Sequence, residues 1–150
     1  MRGDWPGAVR RFEADMVQSQ LQGWDLGSLD FLFIENVGNL VCPTSWDLGE
    51  SIRAALLSVT EGEDKPLKYP RLFNTSDIAL ITKLDLAEAC EFDRELALAN
   101  IQAVRPDMPT LETSAKSGAG MSEWMDYLDL ARSRMLRATE SAGDRCDNLP

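Results

Sequence analysis

Four short apolar runs, separated by polar or helix-like segments, dominate the pattern along the chain. They occupy residues 29–35, 54–59, 78–81 and 110–113. Nearly continuous apolar runs of this length are typical of strands that are buried on both faces of a parallel sheet. The pattern therefore predicts four parallel strands with helices packed on both faces of the sheet.

Two segments carry the 3.6-residue periodicity of amphipathic helices. Asp93 is the predicted N-cap of the first helix, and Pro106 is predicted to end it. The second helix is predicted at residues 120–136, where apolar side chains beginning with Met121 recur at i, i+3, i+4 and i+7. A shorter amphipathic helix is predicted at residues 11–22.

The remaining segments divide the chain into three predicted parts. Residues 1–11 contain two glycines, a proline and three arginines, and are predicted to be an irregular leader. Residues 12–136 form the predicted domain, within which residues 64–73 contain two prolines and are expected to form a loop with at most a short helix. Residues 137–150 lack apolar periodicity and are predicted to be a disordered tail.

The composition excludes several classes of function. The chain has 25 acidic and 15 basic residues, and a net charge of −10 argues against a nucleic-acid surface. No apolar run approaches the length of a membrane span and no signal peptide is present, so we expect a cytoplasmic protein that does not contact a membrane. The absence of histidine excludes histidine-based proton transfer within this chain. The cysteines are odd in number and form no CxxC pair, which argues against a disulfide framework and a four-cysteine zinc site: Cys42, Cys90 and Cys146.

The first motif with a chemical meaning is TKLD, which begins with Thr82 directly after an apolar run. It fits the [NT]-K-x-D box of GTP-binding proteins. The Asp85 carboxylate can accept two hydrogen bonds, from N1–H and from the exocyclic amine of guanine. Lys83 can lay its aliphatic stem along the base. A salt-bridging surface turn is the alternative explanation of the same residues.

The second motif is TSAKSG, which also follows an apolar run. Ser114, Ala115 and Lys116 match the S-A-K loop of the same proteins, in which the backbone N–H at the alanine points at guanine O6. Taken alone, the segment also fits a capped turn before a helix. The order of the two motifs, each after a strand and with a helix between them, favours a guanine-binding site.

The third motif is ENVG, which matches [DE]-x-x-G at the end of an apolar run. In nucleotide hydrolases such an acid lies near Mg²⁺, and the glycine lets its backbone N–H approach the γ-phosphate. Glu35 and Gly38 are therefore candidate catalytic residues. A turn that ends a strand explains them equally well when the motif is considered alone.

Together these stretches resemble a known family. FIENVGNLVCP, LSVTEGEDKPLKYP, TKLD and SAKSGAGM are similar to the HypB-type GTPase that inserts nickel during hydrogenase maturation. The resemblance covers about residues 12–128. The related urease-accessory GTPase has a similar strand-end acid and glycine, but it lacks the NLVCPTSWDLGE continuation and is the second alternative.

The resemblance implies an α/β fold of the SIMIBI type of P-loop NTPase, with a mainly parallel sheet flanked by helices. It implies a cytoplasmic GTPase that forms a homodimer around GTP and Mg²⁺ and binds nickel or zinc. Cys42 is then a metal ligand at the dimer interface, although a buried structural thiol is the alternative for a single cysteine. The implied partners are the large subunit of [NiFe]-hydrogenase and other maturation proteins.

Two departures from the family pattern change what this chain is expected to do. The phosphate loop G-x-x-x-x-G-K-[ST] does not occur in the sequence, so the expected fold is incomplete. Arg10 and Arg11 stand where the family has a Cys-His pair. We therefore expect the carboxyl-terminal portion of such a GTPase, with its guanine-recognition loops retained, GTP hydrolysis lost and only weak metal binding. A truncated gene product and a natural short paralogue both fit, and a non-catalytic dimerisation or partner-binding module is the alternative function.

Overall fold

The computed structural model describes residues 17–35 and 49–146, with side chains described as far as residue 137. The backbone divides into two compact units, Met1–Arg53 and Ala54–Pro150. Among the described residues, no helix is both long and apolar enough to cross a membrane. The predicted division into leader, domain and tail stays a prediction.

In the first unit, the strand predicted at residues 29–35 is not formed. Residues 17–20 are helical, in agreement with the predicted amphipathic helix, and a 3-10 turn occupies Leu26–Ser28. Residues 31–35 have no regular secondary structure, and Phe33 is 69% exposed. A parallel strand needs a hydrogen-bonding neighbour and cover on its faces. Within the described residues this segment has no strand partner, so apolar continuity alone gave a wrong prediction.

The second unit is built on three parallel strands. They are β1 (Ala54–Ser58), β2 (Ile78–Thr82) and β3 (Thr110–Glu112), and β2 lies in the middle. Three of the four predicted strands and their parallel arrangement are therefore confirmed. Because the strands are parallel, the segments that follow their carboxyl ends meet at one edge of the sheet.

Four helices accompany these strands: α1 (Lys65–Lys68), α2 (Pro70–Asn74), α3 (Arg94–Val104) and α4 (Met121–Cys146). The segment predicted as a loop with at most a short helix contains two short helices. Pro70 separates them, because proline cannot donate the N–H that would continue α1 but is accepted in the first turn of α2.

The two long helices match their predicted positions, with one difference at an end. Asp93 caps α3, since its Oδ1 accepts a hydrogen bond from the Leu96 N–H at 2.9 Å. The predicted end of α4 near residue 136 is wrong, because the helix continues to Cys146. The added residues contain no proline, so no helix breaker ends α4 where its apolar periodicity stops.

The core of the second unit lies between one face of the sheet and the helices α2 and α3. Leu57 and Ile81 from the strands are fully buried together with Phe73 from α2 and Ile101 from α3. Leu56 points to the opposite face of β1 and is 54% exposed. The buried side of the sheet anchors the strands, so the loops at their carboxyl ends have a rigid base.

Candidate functional site

The chain turns sharply as it leaves β2. Lys83 has a left-handed backbone conformation, φ 62° and ψ 38°, which is uncommon for a residue other than glycine. The Leu86 N–H donates to the Lys83 carbonyl at 2.8 Å and closes the 3-10 turn Leu84–Leu86. This turn carries Asp85 toward the loop that follows β3.

Two backbone hydrogen bonds join the ends of β2 and β3. The Thr113 N–H donates to the Ile81 carbonyl at 2.7 Å, and the Leu84 N–H donates to the Thr113 carbonyl at 3.2 Å. Ile81 and Thr113 are both buried. The TKLD and TSAKSG motifs are therefore held together by the same backbone ladder that builds the sheet.

Ser114 is fully buried and connects the second loop to Asp85. Its backbone N–H donates to the Ala119 carbonyl, and its carbonyl accepts from the Gly118 N–H, both at 2.8 Å. Its hydroxyl oxygen accepts from the Ser117 N–H at 3.2 Å and is 2.5 Å from Oδ1 of Asp85. A backbone N–H can only donate and a carboxylate can only accept, so the Ser114 hydroxyl hydrogen points at Asp85.

These contacts favour the ionised form of Asp85. The hydrogen bond from Ser114 is the main reason that the pKa of Asp85 lies below its ordinary value. Partial burial acts in the opposite direction, while the backbone N–H of Asp85 and the positive charge of Lys116 lower the pKa further. The Asp85 side chain is 19% exposed, and Nζ of Lys116 lies 3.7 Å from its Oδ2. One carboxylate oxygen is thus fixed by a buried hydroxyl, and the other faces an exposed lysine.

The predicted nucleotide-binding residues lie at one edge of the sheet, at the end of β2 and in these two loops. Thr82 is the last residue of β2, and Lys83 and Asp85 follow it. Ser114 begins the second loop, whose next two residues, Ala115 and Lys116, are exposed. The structure brings Asp85 into contact with Ser114 and Lys116, which lie far from it in the sequence.

The other predicted site residues come from earlier segments of the chain. Glu35 is exposed and lies in the first unit, in the segment without regular structure. Gly38 and Cys42 lie outside the described residues, as do Arg10 and Arg11. The proposed roles of Glu35, Gly38 and Cys42 therefore stay predictions.

Gly120 shapes the second loop, although none of the sequence motifs assigns it a role. Its φ is +68°, and a Cβ at this position would lie 1.9 Å from the carbonyl oxygen of Glu112. Only glycine fits this close approach, which lets α4 begin directly beside the end of β3. The one signal in the sequence for this role of Gly120 is its position immediately before an amphipathic helix.

The turn after β1 packs against the turn that carries Asp85. Its Glu61 carboxylate accepts a hydrogen bond from the Ser58 N–H at 3.0 Å and from Nζ of Lys65 at 2.6 Å. Lys65 is buried and also donates to the Leu56 carbonyl at 2.8 Å. Burial raises the pKa of Glu61, but the hydrogen bonds from Lys65 and Ser58 outweigh it, and the pKa lies below its ordinary value. This network stiffens the edge of the site.

The described part of the chain does not supply a metal site. Within it, no group of three or more histidine, cysteine, aspartate or glutamate side chains is placed to hold a metal ion. The cysteine whose surroundings are described, Cys90, is exposed and free. The ligand that the resemblance implies, Cys42, lies outside the described residues, so the nickel or zinc site stays a prediction.

The fold is similar to solved structures from one family. The hydrogenase maturation factor HypB from Archaeoglobus fulgidus matches with a TM-score of 0.71 and 40% identity, over 77% of this chain and 61% of that one. HypB from Helicobacter pylori, solved in complex with nickel, matches with a TM-score of 0.70 and 34% identity, over 85% of this chain and 58% of that one. The hydrogenase maturation factor HypB of Azotobacter chroococcum mcd 1 is 51% identical over 119 residues. The chain belongs to the HypB family.

The similarity to HypB covers only part of the relative. The match spans 79% of this chain but 38% of the Azotobacter protein, which agrees with the predicted carboxyl-terminal portion of a HypB-type protein. No protein-family model matches the chain. The comparisons confirm the predicted fold, in which parallel strands are flanked by helices as in the HypB structures.

Proposed function

We propose that this chain supplies the guanine-recognition part of a HypB-type metallochaperone GTPase that takes part in nickel insertion into [NiFe]-hydrogenase. The observation that carries this proposal is the Asp85 carboxylate, which buried Ser114 fixes at Oδ1 with a 2.5 Å hydrogen bond. A carboxylate held in this way matches the two adjacent donors of guanine, N1–H and the exocyclic amine. Adenine presents an acceptor at N1, so Asp85 would face it without a partner.

The residues around Asp85 have complementary roles in this proposal. The stem of Lys83 lies along the base, and its left-handed backbone conformation sets the direction of the turn. The backbone N–H of Ala115 donates to guanine O6 from the exposed second loop. Thr82 ends β2 and begins the motif.

The proposal also covers the chemistry at the phosphates. The sequence contains no G-x-x-x-x-G-K-[ST] loop, so we propose that this chain does not hydrolyse GTP by itself. Glu35 and Gly38 are proposed to lie on the side of Mg²⁺ and the γ-phosphate, and Cys42 is proposed as a thiolate ligand of nickel or zinc. The solved nickel complex of the Helicobacter pylori relative supports nickel.

The proposed partners follow from the same family. We propose a cytoplasmic homodimer that acts with the hydrogenase large subunit and other maturation proteins. The support is the similarity to proteins named hydrogenase maturation factor HypB.

A comparison of two nucleotides tests the proposed function. The chain is titrated with GDP and with ADP by isothermal calorimetry, and GTP hydrolysis is measured separately with Mg²⁺. We expect binding of GDP in preference to ADP, and no hydrolysis above background. Equal affinity for GDP and ADP would favour the alternative, a non-catalytic dimerisation or partner-binding module. Mg²⁺-dependent turnover that requires Glu35 would contradict the proposal that this chain does not hydrolyse GTP by itself.

A further inference from the structure

One oxygen of the Asp85 carboxylate has a buried partner, and the other has an exposed partner. Oδ1 is bonded to Ser114, which is fully buried and fixed by its own backbone contacts. Oδ2 lies 3.7 Å from Nζ of Lys116, whose side chain is 80% exposed. The first contact belongs to the fold, whereas the second can break without disturbing any packed residue.

We propose that Lys116 is an internal counter-ion that occupies Oδ2 of Asp85 in the free protein and must leave when guanine binds. This inference rests on the proposed function, because it concerns the same guanine edge. The donor groups of guanine need the carboxylate face that Lys116 holds, so the base and the ammonium group compete for it. Lys116 stabilises the site when no base is bound, and it therefore lowers the affinity of the site for guanine.

The competition affects the two purines differently. Guanine displaces Lys116 and replaces one charge-assisted contact with two hydrogen bonds. Adenine offers no matching pair of donors, so the contact between Lys116 and Asp85 persists in its presence. Lys116 therefore weakens guanine binding selectively and reduces the preference for guanine over adenine.

The contact is also sensitive to salt. An exposed ion pair is weak and is screened further as ionic strength rises. Screening removes the competitor, so the affinity for a neutral guanine ligand increases with salt. Most charged ligands show the opposite trend, because salt screens their attraction to the protein.

The test uses neutral nucleosides, which isolate the base from the phosphates. Guanosine and adenosine are titrated into the chain and into Lys116→Met, which keeps the aliphatic stem and removes the charge. We expect Lys116→Met to bind guanosine about two- to fivefold more tightly, the size expected for an exposed ion pair, with adenosine unchanged. Raising NaCl from about 10 to about 500 mM should strengthen guanosine binding to the natural sequence by a similar factor and leave Lys116→Met unchanged.

Two control variants separate this effect from a general change of charge. Lys116→Arg keeps the positive charge and should behave like the natural sequence. Lys68→Met removes a lysine from another exposed pair, Lys68 with Asp64, and should not change guanosine binding. Equal or weaker guanosine binding by Lys116→Met would overturn the proposal, because Lys116 would then be neutral or a direct ligand of the base.

A second readout follows the carboxyl group of Asp85 without any ligand. Its pKa, measured by carbon-13 NMR, should rise in Lys116→Met, and high salt should raise it only where Lys116 is present. An unchanged titration in both experiments would show that the contact does not form in solution and would overturn the inference, even if guanine preference is observed. Loss of any preference for guanosine over adenosine, in contrast, would refute the proposed function and this inference with it.

Discussion

The hydroxyl of Ser114 donates a 2.5 Å hydrogen bond to Oδ1 of Asp85, across 29 residues of sequence. Each of the two motifs that contain these residues also fits an ordinary turn when taken alone. The contact joins them into one arrangement, in which a buried hydroxyl fixes a carboxylate at the carboxyl edge of a parallel sheet. This edge is where α/β sheets bind their ligands.

Removal of the Ser114 hydroxyl should make stability less dependent on pH. The pKa of Asp85 is lowered in the folded protein. Its contribution to the free energy of unfolding is therefore fully present above the ordinary pKa of 3.8, and it is lost as the pH falls through the pKa of the folded state. Ser114→Ala should therefore lose more stability at about pH 7 than at about pH 3. Urea denaturation at both values measures this difference.

A control for this prediction lies on α4. Ser122 also donates to a carboxylate, Glu123, at 2.9 Å, but both side chains are exposed. Ser122→Ala should change stability little at either pH, because an exposed hydrogen bond is readily replaced by water. An equal effect of the two substitutions would show that the Ser114 contact is not special.

Because Lys83 has a left-handed backbone conformation, we expect glycine at this position to give a more stable protein than alanine. At φ 62° a side chain is strained, so Lys83→Gly should be more stable than Lys83→Ala by about 1 kcal/mol. In the exposed helical position Ala99, replacement by glycine should instead reduce stability by about 1 kcal/mol. Denaturation curves of the three variants check the sign, and a more stable Lys83→Ala would contradict the observed backbone.

Gly120 and Gly118 form a matched pair for testing the second loop. Both have positive φ, but a Cβ at Gly120 would collide with the Glu112 carbonyl, whereas nothing lies within 4 Å of one at Gly118. Gly120→Ala should therefore cost about 3 kcal/mol or more, and Gly118→Ala about 1 kcal/mol. Thermal and urea unfolding measure both values, and similar losses would argue against the close approach.

Much of the second unit could be predicted from local sequence patterns. The three strands and α3 were predictable because apolar runs, periodicity and the Asp93 cap act over a few residues. The segment at residues 29–35 has the same apolar character but forms no strand, because strand formation also depends on a partner that the pattern does not contain. The end of α4 was missed because the helix continues beyond its apolar spacing, where the sequence contains no proline to stop it.

The sequence predicted that the two loops would meet at one edge of the sheet, but not the geometry with which they meet. The motifs identified Asp85 and Ser114, whereas their hydrogen bond depends on how two loops meet at the sheet edge. The contact between Lys116 and Asp85, and the approach of Gly120 to Glu112, arise from the same three-dimensional arrangement. Such relationships between distant residues leave no local pattern in a single sequence.

The most direct test of whether Asp85 recognises the base is to measure the guanine selectivity of Asp85→Asn. The affinities for GDP, ADP and xanthosine diphosphate (XDP) are measured for the natural sequence, for Asp85→Asn and for the control Asp77→Asn. The control changes the same type of residue beside the opposite end of β2. We expect Asp85→Asn to lower the affinity for GDP by about tenfold to a hundredfold and to shift the preference toward XDP, because an amide matches the exchanged donor and acceptor of xanthine. Asp77→Asn should leave the preference unchanged. Equal binding of GDP and ADP by the natural sequence, or an unaltered preference in Asp85→Asn, would show that Asp85 does not recognise the base.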